Sequence, residues 1–207
     1  MKEKEKQRIK DLYRERLNQY GATHEALGWP RNDQHIRFST LVKYWNYKNK
    51  TIVDYGCGFG DFYQYLESTG IMCDYVGLDL SHEMIDIAQK SHPDANFKTI
   101  SEPLADLPKC DIITACGTHA LYLEDNLNFI KESFQKFAVT AKEGFVVTFL
   151  SSFSTKKNKK NYYANPLIIL EYAYTISKRI IMDNSFMPYE FAIFVDLREK
   201  TKNLAYK

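Results

Sequence analysis

Apolar residues recur at Ile9, Leu12, Tyr13, Leu17 and Tyr20 through a densely charged opening stretch, and that spacing predicts a helix over residues 2–20. A turn-like segment, GATHEALGWPRND, follows, and HIRFSTLVKYW is helical in pattern again. From residue 51 the pattern changes. TIVDY is a β-branched strand, and DFYQYLESTG is a helix closed by Gly70. DYVGLDL is a second strand, and SHEMIDIAQKSH a helix with Ser81 as N-cap and Pro93 as its stop. ANFKTI and CDIITAC are strands three and four, LEDNLNFIKESFQKFAVTA is a long amphipathic helix, and GFVVTFL is strand five. PLIILEYAYTIS is a helix that begins at proline, and KRIIMD and EFAIFVDL are the last two strands.

Strands rich in Val, Ile and Phe that alternate with helices imply an α/β fold, a mostly parallel, doubly wound sheet covered on both faces. The last two strands are joined only by NSFMPY, too short for a crossover, so they pair antiparallel. The expected sheet has seven strands, five parallel, a sixth reached through a helix and a reversed seventh. Residues 1–50 form an N-terminal helical lid, residues 51–207 the core, and residues 151–166 a loop at its edge. In such sheets ligands bind beyond the carboxyl ends of the strands.

Composition narrows the function. The chain has 207 residues, 44% of them hydrophobic, enough for one substantial core. A net charge of +2 carries no whole-protein field for nucleic acid or an anionic membrane. The opening MKEKEKQRIK has no apolar signal core, and no run approaches the ~18–20 apolar residues of a membrane span. The four cysteines form no CxxC pair and the five histidines no zinc spacing, so a reduced, cytoplasmic protein without a metal site is expected.

The candidate chemistry sits where strand one hands over to a helix, in VDYGCGFGD. A dinucleotide fingerprint reads G-x-G-x-x-G. Here Gly56, Cys57, Gly58, Phe59 and Gly60 read G-x-G-x-G, with Asp54 before them, and the second strand ends at Asp79. A carboxylate there can accept both hydroxyls of a ribose, and the glycines let a nucleoside approach the backbone. The glycine spacing and the reversed strand pair disfavour a nicotinamide-dependent oxidoreductase.

VDYGCGFGDFYQYL, YVGLDLSHEMIDIA and CDIITACGTHALY together resemble the class I, Rossmann-like S-adenosylmethionine-dependent methyltransferases in motif order and spacing. The resemblance implies that Asp54, Gly56, Cys57, Gly58 and Gly60 flank the methionine part of S-adenosylmethionine. It implies further that Asp79 holds the ribose, that Leu80 and Met84 line the adenine or ribose side, that Ile100 and Ser101 border the adenine, and that Gly117 sits near the methionine end. Many members carry an aspartate after the third strand; FKTISEP leaves that place to Ser101, Glu102 or the backbone.

Methyl transfer from a sulfonium is an in-line displacement, for which positioning alone can supply ~7–11 kcal/mol of the barrier. A general base is needed only where the acceptor atom must lose a proton. His119, after the fourth strand, is the candidate, with a supporting role behind the site or at a helix start as its alternative; His82 reads as solvated surface. Arg37, on the second helix, is a candidate partner for the cofactor carboxylate, and Tyr20 and Trp29 for closing over the cofactor. Tyr162, Tyr163 and Lys159, in the basic loop around KKNKK, are acceptor-binding candidates, and Phe186, Met187 and Tyr189 either border the pocket or cover the sheet end. The expected reaction is methyl transfer to oxygen or nitrogen of a small molecule. The alternatives are an RNA substrate held by Lys156, Lys157, Lys159 and Lys160, and a non-catalytic binding module on the same fold.

Overall fold

The computed structural model describes residues 1–29 and 33–198. Residues 30–32 of the first turn and 199–207 of the expected core lie outside the described residues.

Two helices precede the sheet, α1 (Glu3–Tyr20) and α2 (Gln34–Leu41). Then β1 (Thr51–Tyr55), α3 (Asp61–Ser68), β2 (Asp74–Asp79), α4 (His82–Ser91), β3 (Asn96–Thr99), β4 (Cys110–Ala115), α5 (Asn126–Thr140), β5 (Ala141–Leu150), α6 (Pro166–Ile176), β6 (Ile180–Asp183) and β7 (Glu190–Asp196) follow. The sheet order is β3-β2-β1-β4-β5-β7-β6. β1 to β5 pair in parallel, whereas β7 runs antiparallel to both β5 and β6. The expected doubly wound sheet with a reversed seventh strand is thus the observed one.

Boundaries differ in two places. The second helix stops at Leu41, because the chain bends there and the Tyr47 hydroxyl donates to the Leu41 carbonyl at 2.9 Å. β5 starts three residues earlier than GFVVTFL, at Ala141 directly after α5, because Ala141 pairs with Cys110 at the foot of β4.

The central strands are buried on both faces, as a parallel sheet requires. Val53, Ile113, Phe145, Val147 and Ile193 pack under Ile130, Phe134 and Phe137 of α5 and Ile169 and Ala173 of α6. On the other face Ile52, Ile112, Val146 and Phe194 pack against Phe38 and Leu41 of α2, Phe62 and Leu66 of α3, and Ile85 and Ala88 of α4. The spacing of Ile130, Phe134 and Phe137 is what sends one stripe of α5 into the sheet. Among the described residues no helix is long and apolar enough to cross a membrane.

Candidate active site

The carboxyl ends of the parallel strands open into a cavity of about 1060 Å³, beyond the upper end of the ~300–1,000 Å³ typical of small-molecule sites. Strand ends and the turns after them supply its floor: Asp54 to Gly58 after β1, Asp79 and Leu80 after β2, Cys116 to Thr118 after β4, Thr148 to Leu150 at the end of β5.

The turn after β1 depends on glycine. Gly56 has φ +82°, and a Cβ there would run into Thr118 Cγ2. The Gly56 and Cys57 N–H groups both donate to the Leu78 carbonyl, at 2.7 and 3.0 Å, which stitches the turn to the tip of β2. Gly60 serves a different purpose. It is the left-handed residue that starts α3, and a Cβ there would meet Phe97 and His92. It belongs to the turn and does not line the cavity.

Asp79 is fixed by backbone donors. Gly58 N–H reaches its Oδ2 at 3.0 Å and Ser81 N–H its Oδ1 at 2.9 Å. A carboxylate oxygen has two acceptor sites, so both oxygens keep one free for a further donor. Ser81 caps α4, accepting from Met84 N–H at 3.3 Å, which leaves Asp79 free of that duty. Withdrawal from bulk water raises the Asp79 pKa against the lowering pull of those N–H groups.

Asp54 is buried at the end of β1, where it accepts from Tyr75 Oη at 2.7 Å and Thr114 Oγ1 at 2.9 Å. Burial pushes its pKa up to about 6, and the two hydroxyl donors pull the other way. Asp54, Gly56, Cys57, Gly58, Asp79, Leu80, Met84, Ile100 and Gly117 all line the one cavity. Ser101 does not: it is exposed one residue past Ile100, whose N–H is tied to the Asp79 carbonyl at 2.8 Å.

Arg37 reaches the cavity wall with its guanidinium already engaged. Nε lies 2.9 and 3.1 Å from the two Glu190 carboxylate oxygens, Nη1 2.6 Å from Asp33 Oδ1, and Cζ 4.0 Å from the centre of the Trp29 ring. Burial opposes the charge, but the bonds to Glu190 and Asp33 outweigh it and keep Arg37 protonated. The expected pairing with a cofactor carboxylate is therefore replaced by a buried cluster that ties the start of α2 to the start of β7.

His119 is likewise relocated. Its Nε2 lies 3.1 Å from Ser133 Oγ and its Nδ1 3.2 Å from Thr118 Oγ1, with the ring packed between Phe129 and Phe149. Burial pushes its pKa down to about 3, so the imidazole is neutral. It stands behind the cavity wall rather than in it. In the loop after β5, Tyr163 lines the cavity and its hydroxyl accepts from Asn158 N–H at 2.7 Å. Tyr162 instead packs on the sheet core, and Lys159 is an exposed residue outside the lining; Lys156 and Lys157 line in its place.

Several lining residues escape the sequence pattern. Ile9, Tyr13 and Arg16 of α1 cover one side, Thr118 and Phe129 another, and Tyr189 and Glu190 come from the start of β7. That last pair is inferable: a reversed β7 brings its first residue to the carboxyl edge, where Glu190 pairs with Leu150.

A strand-order reversal at β1/β4, a glycine turn after β1 and an acidic residue at the tip of β2 are the arrangement at which doubly wound α/β sheets take a nucleotide. Residues 52–144 match the family model described as "Methyltransferase domain". It is 28% identical over 153 residues to the Mycobacterium tuberculosis protein named "Putative methyltransferase Rv1506c", an alignment covering 70% of this chain and 92% of that one. Among solved structures, the "DhpI-SAM-HEP complex" aligns with a TM-score of 0.66 at 15% identity over 92% of this chain and 95% of that one. A SAM dependent methyltransferase from Aquifex aeolicus aligns with a TM-score of 0.59 at 16% identity, over 84% and 96%.

Proposed function

We propose that this protein is an S-adenosylmethionine-dependent methyltransferase that transfers the methyl group to an oxygen or nitrogen of a small-molecule acceptor. The observation that carries the cofactor half is the convergence of the Gly56–Gly58 turn, Asp54 and the doubly anchored Asp79 on one cavity. When bound, S-adenosylmethionine supplies a methyl group on a positively charged sulfur. Asp79 accepts the ribose hydroxyls with its two free acceptor sites, and the absent Cβ atoms of Gly56 and Gly58 let Thr118 and Leu27 pack against the turn that faces the nucleoside. The missing Cβ of Gly117 lets the Trp29 ring lie against the turn after β4, since a Cβ there would meet it at 2.9 Å. Asp54 contributes negative charge near a cationic ligand once it ionises.

A small acceptor is favoured by what surrounds the mouth. Residues 1–50 act as a lid: Ile9 of α1 packs on Leu123 and Phe129, while Tyr13 and Leu17 pack on Met84 and Phe59. The loop after β5 closes the opposite side through the Leu121–Asn161 bridge and the Tyr162 N–H bond to the Ala120 carbonyl. Arg37 acts as a positioning residue that holds α2 and Trp29 over the site. A calorimetric titration with S-adenosylmethionine, with NADH as control, tests the cofactor. Binding of the first alone is expected, and binding of NADH alone, or of neither to folded protein, contradicts the reading.

A further inference from the structure

We propose that the methyl acceptor is an ionised oxygen acid on an apolar or aromatic body, methylated on its acid oxygen to an ester. This rests on the methyltransferase reading above and names the acceptor class of that same site.

Unpaired charge is unevenly spread over the cavity, whose lining also holds Arg16 beside Tyr13 and the paired Arg37 and Glu190. The end formed by β1, β2 and α3 carries Asp54, Asp61 and Asp79. Beyond β4 and β5 Leu121, Phe129, Phe149 and Leu150 form apolar wall beside the mutually paired Arg37 and Glu190, with Phe153 at the mouth, where it is 66% exposed. Such walls accept an apolar body and exclude water from it. At the same mouth stand Lys156 and Lys157, both exposed and neither in an ion pair among the described residues; Lys157 Nζ lies 5.8 Å from the centre of the Tyr163 ring. An anionic acceptor is drawn to this end and repelled by the three aspartates at the other, which fixes its orientation.

The proton inventory points the same way. Each carboxylate on the wall is already hydrogen bonded. Asp54 has Tyr75 and Thr114, Asp61 has Gln34 Nε2 at 2.9 Å, Asp79 has two backbone N–H groups, and Glu190 has Arg37. The His119 ring faces Ser133, away from the cavity. An ionised acid oxygen needs no base. Its lone pair forms the new C–O bond to the methyl carbon, the C–S bond breaks with its electron pair going to sulfur, and the products are an ester and a neutral thioether. No proton leaves. Anion and sulfonium neutralise one another along this path, and apolar walls favour that loss of charge over the separated ions.

The decisive experiment titrates the S-adenosylhomocysteine-loaded protein with 4-phenylbutanoic acid, its primary amide, 4-phenylbutylamine and 4-phenylbutylphosphonic acid. The same compounds are then incubated with methyl-labelled S-adenosylmethionine. At least one of the two acids is expected to bind roughly tenfold or more tighter than the amide and the amine, with Lys156→Ala/Lys157→Ala erasing the difference. The label is expected as an ester, identified by mass and, for the carboxylic acid, by release of labelled methanol in alkali. Which acid is preferred tells carboxylate from phosphonate. Equal binding of amide or amine, no binding of any member to loaded protein, or label on nitrogen overturns the proposal. Protein that binds neither S-adenosylmethionine nor S-adenosylhomocysteine instead overturns the methyltransferase reading beneath it.

Discussion

The cavity has two unlike walls. The strand-end wall is built from buried and half-buried groups whose partners are mostly backbone: Gly56 and Cys57 N–H on the Leu78 carbonyl, Gly58 and Ser81 N–H on Asp79. The α1 wall is held by exposed ion pairs, Lys2 and Lys4 with Glu124 and Arg14 with Glu83 at 2.7 Å, by the buried Lys6 paired with Glu102 and Glu5 accepting from Glu124 N–H at 2.8 Å, and by apolar packing at Ile9, Tyr13 and Leu17. Exposed pairs contribute little and are screened by salt, whereas a buried network without a partner is costly. The difference assigns roles. On the proposed reading the strand-end wall fixes the reacting geometry, and α1, with more of its links at the surface, is the part expected to open.

The largest effect is expected at Gly56. Gly56→Ala puts a Cβ into Thr118 at a backbone angle that disfavours side chains, costing roughly 2 kcal/mol or more. A domain of this size then loses about 2–4 °C in Tm for each kcal/mol. Binding of S-adenosylmethionine, read by calorimetry, should fall beyond detection while circular dichroism stays native. A variant that binds like the parent shows that the turn does not meet the ligand.

Asp54 gives the next effect, with a sign that differs between ligand and fold. Its folded pKa of about 6 lies above the ordinary aspartate value of 3.8, so the unfolded chain binds fewer protons between these values. Its contribution to the stability of the ligand-free protein is therefore full below about pH 4 and is lost as pH rises through 6. Ionisation over the same range should raise affinity for the cationic cofactor by about tenfold from pH 5 to 7. Asp54→Asn should flatten that profile, and an unchanged profile would assign the titration to another group.

His119 moves stability the opposite way. With its pKa pushed down to about 3, the folded protein binds fewer protons than the unfolded chain at mildly acid pH. The stabilisation is full above pH 6.5 and is lost as pH falls toward 3. His119→Phe should remove this acid sensitivity in thermal melts while leaving the rate of methyl transfer near the parental value; a large drop in rate with unchanged melts would return His119 to the chemistry.

The smallest effect belongs to α1. Arg14→Ala should change cofactor affinity by no more than about twofold. Raising NaCl from about 50 mM to about 500 mM should speed amide exchange over residues 5–18 while exchange in β1 and β4 stays constant. Equal protection of both regions at high salt would abolish the distinction between the walls.

What can be read from the chain divides along the same line. The turn after β1 and the tip of β2 are legible because their partners are local or one strand away, and glycine and aspartate at strand ends have few other uses. Arg37 misleads because its partner, Glu190, is 153 residues distant and only the reversed β7 brings them together. His119 misleads because Gly117, at φ +75°, turns the chain so that Thr118 meets the cavity and His119 faces α5. The covering role of α1 follows from its position ahead of the sheet, but its lining residues are hidden in a stripe that also serves packing.

The central claim is that Asp79, anchored by Gly58 and Ser81, is the ribose acceptor of an S-adenosylmethionine site. Its most direct test is calorimetric titration of the parent and Asp79→Asn with S-adenosylmethionine, with a thermal melt of each as the folding control. Hydrogen bonds to a charged group are each worth roughly 1.5–3 kcal/mol, so a loss of about 10- to 100-fold or more in affinity with a native melt is predicted. Undiminished binding by a well-folded Asp79→Asn protein would contradict the account.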